Sequence, residues 1–127
     1  MRITASLSSI VAAFLLAASA WAGEQAYDKA AFDKAMAEGR PVIVDFFADW
    51  CPTCKAQKPH VQSLIGDPKM KHVTLFVADY DREKDLKRAL RVTQQATFVV
   101  FKGGKEVGRS TGQTKKEDLA ALFARAL

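Results

Sequence analysis

The chain has 127 residues, enough for one domain around a single hydrophobic core and too few for two such domains. Its 19 lysine and arginine residues outnumber its 14 acidic residues and give a net charge of +5, but the basic residues are interspersed with acidic ones. Because the chain has neither a basic run nor an alternation of basic and aromatic residues, we expect no nucleic-acid partner.

The first 22 residues have the pattern of an export signal. Arg2 is followed by an uncharged run through Gly23, and Ala20-Trp21-Ala22 places small residues at the −3 and −1 positions of a signal-peptidase site. We therefore expect residues 1–22 to be a signal peptide cleaved after Ala22, and residues 23–127 to form a periplasmic domain without stable membrane insertion. The alternative is an uncleaved membrane anchor, since the uncharged run is just long enough to span a bilayer.

Hydrophobic periodicity and turn residues predict eight elements downstream of this signal. In chain order they are a helix over 29–38 capped by Asp28, a strand over 41–47, a helix over 51–65 kinked at Pro59, a strand over 73–78, a helix over 81–90, strands over 97–102 and 105–110, and a last helix begun by a capping box of Thr114 and Glu117. Helices between apolar strands predict parallel connections, and Gly103-Gly104 predicts a tight type I′ hairpin. The sequence therefore predicts an α/β fold with a mixed central sheet flanked by helices on both faces.

Cys51 and Cys54 are the two cysteines of the chain, and they lie three residues apart where a buried strand ends and a helix begins. The unpaired N–H groups of a helix N-terminus favour an anion, so we expect the Cys51 thiolate to be stabilised relative to a free cysteine. We expect Cys51 to be exposed and to attack a disulfide first. Cys54, one turn further along, would then resolve the mixed disulfide.

Asp45 interrupts an apolar strand six residues before Cys51, so we expect its carboxyl to lie beneath the cysteine pair. Burial would raise the pKa of this carboxyl, which could then accept or return the proton of Cys54. The alternative is a structural carboxylate bonded to a buried water or to a backbone amide.

Cysteines in proteins also have three other roles to consider: a structural disulfide, zinc binding and protease catalysis. A structural disulfide that closes so short a loop would constrain the unfolded chain little. A closed zinc site needs four ligands, and His60 and His72 lack the usual spacing from the cysteines. Nothing in the sequence places a histidine and its orienting partner for cysteine-protease chemistry. The pair therefore indicates redox chemistry, with no bound metal and no cofactor.

The run Val44-Asp45-Phe46-Phe47-Ala48-Asp49-Trp50-Cys51-Pro52-Thr53-Cys54-Lys55 resembles the thioredoxin-family signature V-D-F-x-A-x-W-C-x-x-C-K. Pro59, the segment Phe101-Lys102-Gly103-Gly104 and Gly112 match further family positions, so the resemblance covers nearly all of residues 23–127. It implies a thioredoxin-like fold, with Cys51 as nucleophile, Cys54 as resolving thiol and Asp45 as buried acid. It also implies that some residues support the motif and that others bind substrate. The supporting residues are Trp50, Pro52, Thr53 and Lys55, and the substrate-binding residues are Gln95, Ala96, Thr97 and Gly112.

Two shorter matches are to particular subfamilies, and neither narrows the substrate. The run from Gly39 to Cys51 is similar to the C-terminal periplasmic domain of the transmembrane reductant carrier DsbD. The Pro52-Thr53 dipeptide resembles that of thioredoxins of cytochrome c maturation.

Ala96 departs from the family pattern, which has a cis-proline at this position in a loop facing the cysteines. A cis bond before a residue other than proline costs about 3–4 kcal/mol, so we expect the Gln95–Ala96 peptide to be trans. The proline loop of the family pairs with the substrate backbone and keeps metal away from the cysteines. Its loss leaves open a metal or iron–sulfur site shared by four cysteines of two chains.

The resemblance implies a thiol–disulfide oxidoreductase acting on exported proteins, and leaves the direction of electron flow open. The protein could reduce or isomerise disulfides, introduce them as an oxidase, or use the cysteines as a redox-sensitive clasp in a non-catalytic binding module. Oxidases stabilise the attacking thiolate strongly, often through a histidine between the cysteines, whereas Pro52 and Thr53 carry no charge. Reduction is therefore favoured, and in an oxidising compartment it implies a membrane electron-donor protein as a partner beside the disulfide-containing substrates.

Overall fold

The computed structural model describes residues 23–127, so the predicted signal peptide lies outside the described residues. The described chain contains nine regular elements and two short 3₁₀ turns. They are β1 (Gly23–Ala26), α1 (Lys29–Ala37), β2 (Val42–Phe47), α2 (Pro52–Ile65), a turn at Pro68–Met70, β3 (Thr74–Asp79), α3 (Lys84–Leu90), β4 (Thr97–Lys102), β5 (Lys105–Thr111), α4 (Lys116–Phe123) and a turn at Ala124–Ala126. Within this range no helix is both long and apolar enough to cross a membrane.

The five strands form one mixed sheet in the order β1-β3-β2-β4-β5. Strand β3 is parallel to both β1 and β2, whereas β4 is antiparallel to β2 and to β5. Gly103 and Gly104 have φ values of 60° and 75°, the left-handed backbone that the predicted type I′ hairpin requires at both positions. The predicted mixed sheet and fold class are confirmed.

Helices cover the sheet on both faces because successive side chains of β2 point in opposite directions. Val42, Val44 and Phe46 pack into one core, together with residues of α1 and α3. Ile43 packs into the other core, together with residues of α2 and α4. A strand with a core on each side has to be apolar throughout, as β2 is except at Asp45.

Most of the predicted elements are present with boundaries shifted by one or two residues, and Asp28 caps α1 by accepting the Ala31 N–H at 2.9 Å. Pro59 lies inside α2, and the kink expected there stays a prediction. Strand β1 is an addition that the pattern does not predict, because its sequence, GEQA, lacks the β-branched and aromatic residues typical of strands.

Two predicted helix starts are wrong. The capping box does not form: α4 begins after Lys115, which makes no side-chain cap. Glu117 instead lies in the first turn with Asp118, where a negative charge is favourable beside the positive end of the helix. Helix α3 begins at Lys84 rather than at residue 81, because the Asp79 carboxylate accepts the Asp81 N–H at 2.9 Å and holds this segment in a turn.

Candidate active site

Three chain segments meet at one edge of the sheet. Strands β2 and β4 are antiparallel, so the C-terminal end of β2 lies beside the start of β4, where Phe46 pairs with Thr97. In turn, Thr97 pairs with Thr111 at the C-terminal end of β5. The segment leading to Cys51, the loop 91–96 and the turn after Thr111 therefore share this edge.

Cys51 caps the N-terminus of α2, and both cysteines are free thiols. The Cys51 Sγ accepts a hydrogen bond from the Cys54 backbone N–H at 3.1 Å, and Pro52 occupies the first helical turn, where its missing N–H costs nothing. This is the helix start predicted from the sequence. It stabilises negative charge on the Cys51 sulfur, because a helix N-terminus presents unpaired N–H donors.

Cys51 is fully buried, so the prediction that its side chain is exposed is wrong. The sulfur turns inward to accept the Cys54 N–H, and both cysteines pack with Ala48 and Ala96. Phe47 and Tyr80 pack against the same cluster. Attack by Cys51 on a substrate disulfide would therefore require part of this cover to move.

The Cys54 thiol lies one turn deeper in α2 and is also buried. Burial raises the pKa of Cys54 to about 11, and its hydrogen bond with Cys51 acts in the same direction. The backbone groups of Ala48 and Ala96 oppose this shift in pKa without cancelling it. Cys54 therefore keeps its proton at neutral pH, and a base has to remove that proton before the sulfur can attack.

Asp45 lies on the face of β2 that α2 covers, two residues after Ile43, and is 6% exposed. Burial raises the pKa of its carboxyl to about 7; the negative charge of Glu24 adds to the shift, and the positive charge of Lys58 reduces it. The Asp45 Oδ1 has no hydrogen-bond partner among the described residues. A carboxyl with this pKa can both accept and release a proton near neutral pH.

Trp50 lies at the surface beside the cysteines, with 56% of its area exposed. Its indole Nε1 donates a hydrogen bond to the Asp81 carboxylate at 2.7 Å, which fixes the ring. Asp81 is a site residue that the sequence analysis missed, because 31 positions separate it from Trp50. The remaining predicted supporting residues also lie at the surface, with Pro52 and Lys55 exposed and Thr53 half-buried.

The predicted substrate-binding residues come together around Ala96. Every described peptide bond is trans, so the predicted trans Gln95–Ala96 bond is confirmed. Ala96 has a φ of 57°; its N–H donates to the Phe46 carbonyl at 2.9 Å, and its carbonyl accepts the Gly112 N–H at 2.9 Å. The Thr97 hydroxyl donates to the Gln94 carbonyl at 2.8 Å, which ties the loop to β4.

Gln57 is a second residue that the sequence analysis missed. It lies on α2 one turn after Cys54, is 1% exposed, and donates to the Gln113 carbonyl at 2.8 Å and to the Ala96 carbonyl at 3.4 Å. The available sequence signal was a polar residue on the helix face that also carries Cys54.

Comparisons with known proteins agree with this fold. The family model described as "Thioredoxin" matches residues 24–125. Thioredoxin H-type of Fagopyrum esculentum is 36% identical over 95 residues, which cover 75% of this chain and 80% of that protein. Thioredoxin of Chlamydia trachomatis serovar D is 36% identical over 84 residues, covering 66% of this chain and 80% of the relative. The crystal structure of Trxlp from Edwardsiella tarda EIB202 superposes with a TM-score of 0.77 at 37% identity, covering 79% of this chain and 97% of that one.

The resemblance in the cysteine motif thus extends over the whole described domain. The chain belongs to the thioredoxin family, and its paired cysteines are those of a thiol–disulfide oxidoreductase.

Proposed function

We propose that this protein reduces disulfides in exported proteins and receives its electrons from a membrane donor. The observation that carries the direction is the lack of charge on Pro52 and Thr53, the two residues between the cysteines, so that the hydrogen bond from the Cys54 N–H stabilises the Cys51 thiolate without help from a charged group. Strong stabilisation of the thiolate makes a dithiol a good oxidant. A thiolate held by the helix start, without a charged residue inside the motif, favours a reductant.

The reaction proceeds in two exchanges. The Cys51 thiolate attacks one sulfur of the substrate disulfide, forms a mixed disulfide and releases the other substrate sulfur as a thiolate. The Cys54 thiol then loses its proton and attacks the Cys51 sulfur, which releases the second substrate sulfur. Two electrons pass to the substrate, and a Cys51–Cys54 disulfide remains.

Asp45 is the proposed base for the second exchange. The Cys54 thiol keeps its proton because burial raises its pKa to about 11, whereas the pKa of Asp45 is raised to about 7. The Asp45 carboxylate would accept the Cys54 proton as the sulfur attacks and return it when the dithiol is regenerated. The loop that carries Gln95 and Ala96 would hold the substrate backbone, together with Thr97 and Gly112.

Export and the membrane donor are proposed from the sequence. Residues 1–22 have a signal-peptide pattern, and the run from Gly39 to Cys51 is similar to the periplasmic domain of DsbD. We expect the mature chain to begin at Gly23 and to be released with the periplasmic fraction. Mass spectrometry of the protein from fractionated cells tests this, and an intact chain in the membrane fraction would favour the anchor instead.

Measuring the reduction potential of the Cys51–Cys54 couple tests the direction. Equilibration against glutathione or thioredoxin should give a value near the roughly −270 mV of reducing thioredoxins. A value near the roughly −120 mV of strong oxidants would show the alternative function, an oxidase.

The complete burial of Cys51 is the observation that favours a non-catalytic binding module. Trapping with Cys54→Ala separates that function from catalysis, because an enzyme should accumulate substrate proteins linked to Cys51. The double variant Cys51→Ser/Cys54→Ala is the control. A binding module would give equal, negligible adducts in both.

A further inference from the structure

Gln57 is a buried amide whose presence packing alone does not explain. The side chain is 1% exposed, and its Oε1 has no hydrogen-bond partner among the described residues. Burying a polar atom without a partner costs free energy that an apolar side chain of similar size would avoid. The amide Nε2, in contrast, donates to the Gln113 carbonyl at 2.8 Å and to the Ala96 carbonyl at 3.4 Å.

The two carbonyls that Gln57 contacts belong to the two segments bordering the cysteines. Ala96 lies in the loop 91–96 between α3 and β4, and Gln113 follows β5. Thus one side chain of α2 joins both segments to the helix that begins at Cys51. We call this pair of contacts the Gln57 brace.

Ala96 needs such support because its backbone is strained. A φ of 57° places Ala96 in the left-handed region, where the Cβ lies too close to the following carbonyl oxygen. Three contacts hold the peptide there: its N–H donates to the Phe46 carbonyl, and its carbonyl accepts from the Gly112 N–H and from Gln57. Gln57 is the side chain among these partners, and it can be replaced without altering the backbone.

The brace acts on the reactive sulfurs through Ala96. Ala96 packs in one buried cluster with Cys51 and Cys54, and Cys51 is fully buried there. If the loop carrying Ala96 is released from α2, this cover can move away from the Cys51 sulfur.

We propose that Gln57 is a positioning residue that holds the loop 91–96 and Gln113 against α2. The brace restricts the access of small reagents to Cys51 and keeps the loop in the geometry that binds protein substrates. The second effect rests on the substrate role proposed for the loop, whereas the first depends on geometry alone. Neither depends on the direction of electron flow.

Gln57→Met tests the brace, because methionine is similar in size to glutamine and cannot donate a hydrogen bond. Gln62→Met is the matched control, since Gln62 lies on the same helix and is exposed. Alkylation of reduced Cys51 by iodoacetamide is followed across pH to its plateau, so that access is separated from ionisation. The KM and kcat for insulin disulfides are measured in parallel, with electrons supplied by dithiothreitol.

In Gln57→Met we expect the plateau rate of alkylation and the KM for insulin each to rise about five- to tenfold, the factor contributed by one neutral hydrogen bond. The kcat should change less than twofold, and Gln62→Met should match the wild type. An unchanged rate of alkylation, or lower rates of both alkylation and insulin reduction, would overturn the proposal. Faster alkylation with an unchanged KM would overturn the positioning of substrates while leaving the proposed chemistry at Cys51 intact.

A measurement on the wild-type protein covers the case in which Gln57→Met does not fold. The side-chain amide protons of Gln57 should exchange with solvent more slowly than those of Gln62 by a large factor, as resolved by nuclear magnetic resonance. Equal, rapid exchange at both positions would overturn the proposal.

Discussion

The two faces of the sheet differ in what they bury. On the face covered by α1 and α3, rings pack against rings: Phe32 contacts Tyr27, Phe76 and Phe101 at centroid separations of 5.7–6.1 Å. On the face covered by α2 and α4, the core also contains Asp45 and Gln57, each with an oxygen that has no partner among residues 23–127. The first face stabilises the fold, and the second gives up some stability at these two buried polar side chains, as functional sites commonly do.

Among substitutions that test the division between the two faces, loss of the nucleophile should have the largest effect on activity. Cys51→Ser should abolish disulfide exchange, because a serine hydroxyl is a poor nucleophile without an activating base. The variant should still unfold cooperatively in urea, followed by circular dichroism. Measurable insulin reduction by Cys51→Ser would contradict the role of Cys51.

Phe76→Ala should destabilise the apolar face without changing the exchange chemistry. Removing this fully buried ring should lower the free energy of unfolding by about 3–5 kcal/mol, measured by urea denaturation. The exchange rate of the folded fraction should stay the same, because Phe76 lies on the face opposite Asp45. The comparison variant is Phe98→Ala, because Phe98 pairs directly with Asp45 across β2 and β4. Phe98→Ala should lose similar stability and also alter the pH dependence of disulfide exchange. If both variants showed the same pH dependence of exchange, the division of roles between the two faces would be contradicted.

Asp45→Asn should make the protein more stable at high pH. Burial raises the pKa of Asp45 from 3.8 to about 7, so the folded state binds this proton more tightly than the unfolded state. The stability from the bound proton is present in full below pH 3.8 and is lost as the pH rises through 7. Above that pH the variant should gain up to about 4 kcal/mol over the wild type.

Urea titrations of wild type and Asp45→Asn at pH 3.5 and pH 8 measure this difference. A gain that is the same at both pH values would show that the carboxyl does not titrate as the structure indicates. If Asp45 is the base for Cys54, the variant should also prolong the mixed disulfide, which quenched-flow trapping at pH 8 detects.

Lys58→Met should have the smallest effect. The Lys58 ammonium lies 5.1 Å from the centre of the Phe47 ring, and its charge holds down the pKa of Asp45. Its removal should move the pH at which Asp45 titrates upward, with a change in stability at pH 8 of less than about 1 kcal/mol. Lys71→Met, at another exposed lysine, is the control. If Asp45 instead titrated at a lower pH in Lys58→Met, the Lys58 charge would not act on Asp45 as the structure indicates.

Local sequence patterns were sufficient for much of the fold and for the reactive pair. Apolar runs placed β2, β3 and β4, the Gly103-Gly104 pair placed the hairpin, and the Cys51 position at a helix start followed from the change in periodicity at Pro52. Asp45 could be selected because a carboxyl inside an apolar strand is unusual.

The residues that escaped prediction depend on contacts distant in sequence. Trp50 donates a hydrogen bond to Asp81, which lies 31 positions away in the sequence, and Gln57 donates one to Gln113, which lies 56 positions away. The burial of Cys51 depends on packing with Ala96, which follows from the pairing of β2 with β4 and cannot be read from the local pattern. The start of α3 does not follow from the local pattern, because the Asp79 side chain competes for backbone N–H groups there.

The indole of Trp50 gives this protein an intrinsic fluorescence signal. The sequence contains two tryptophans, and Trp21 falls within the predicted signal peptide. The processed chain would therefore fluoresce through a single indole, adjacent to Cys51 in sequence and hydrogen-bonded to Asp81. Closing the Cys51–Cys54 disulfide should quench that emission, so each turnover could be followed in unlabelled protein.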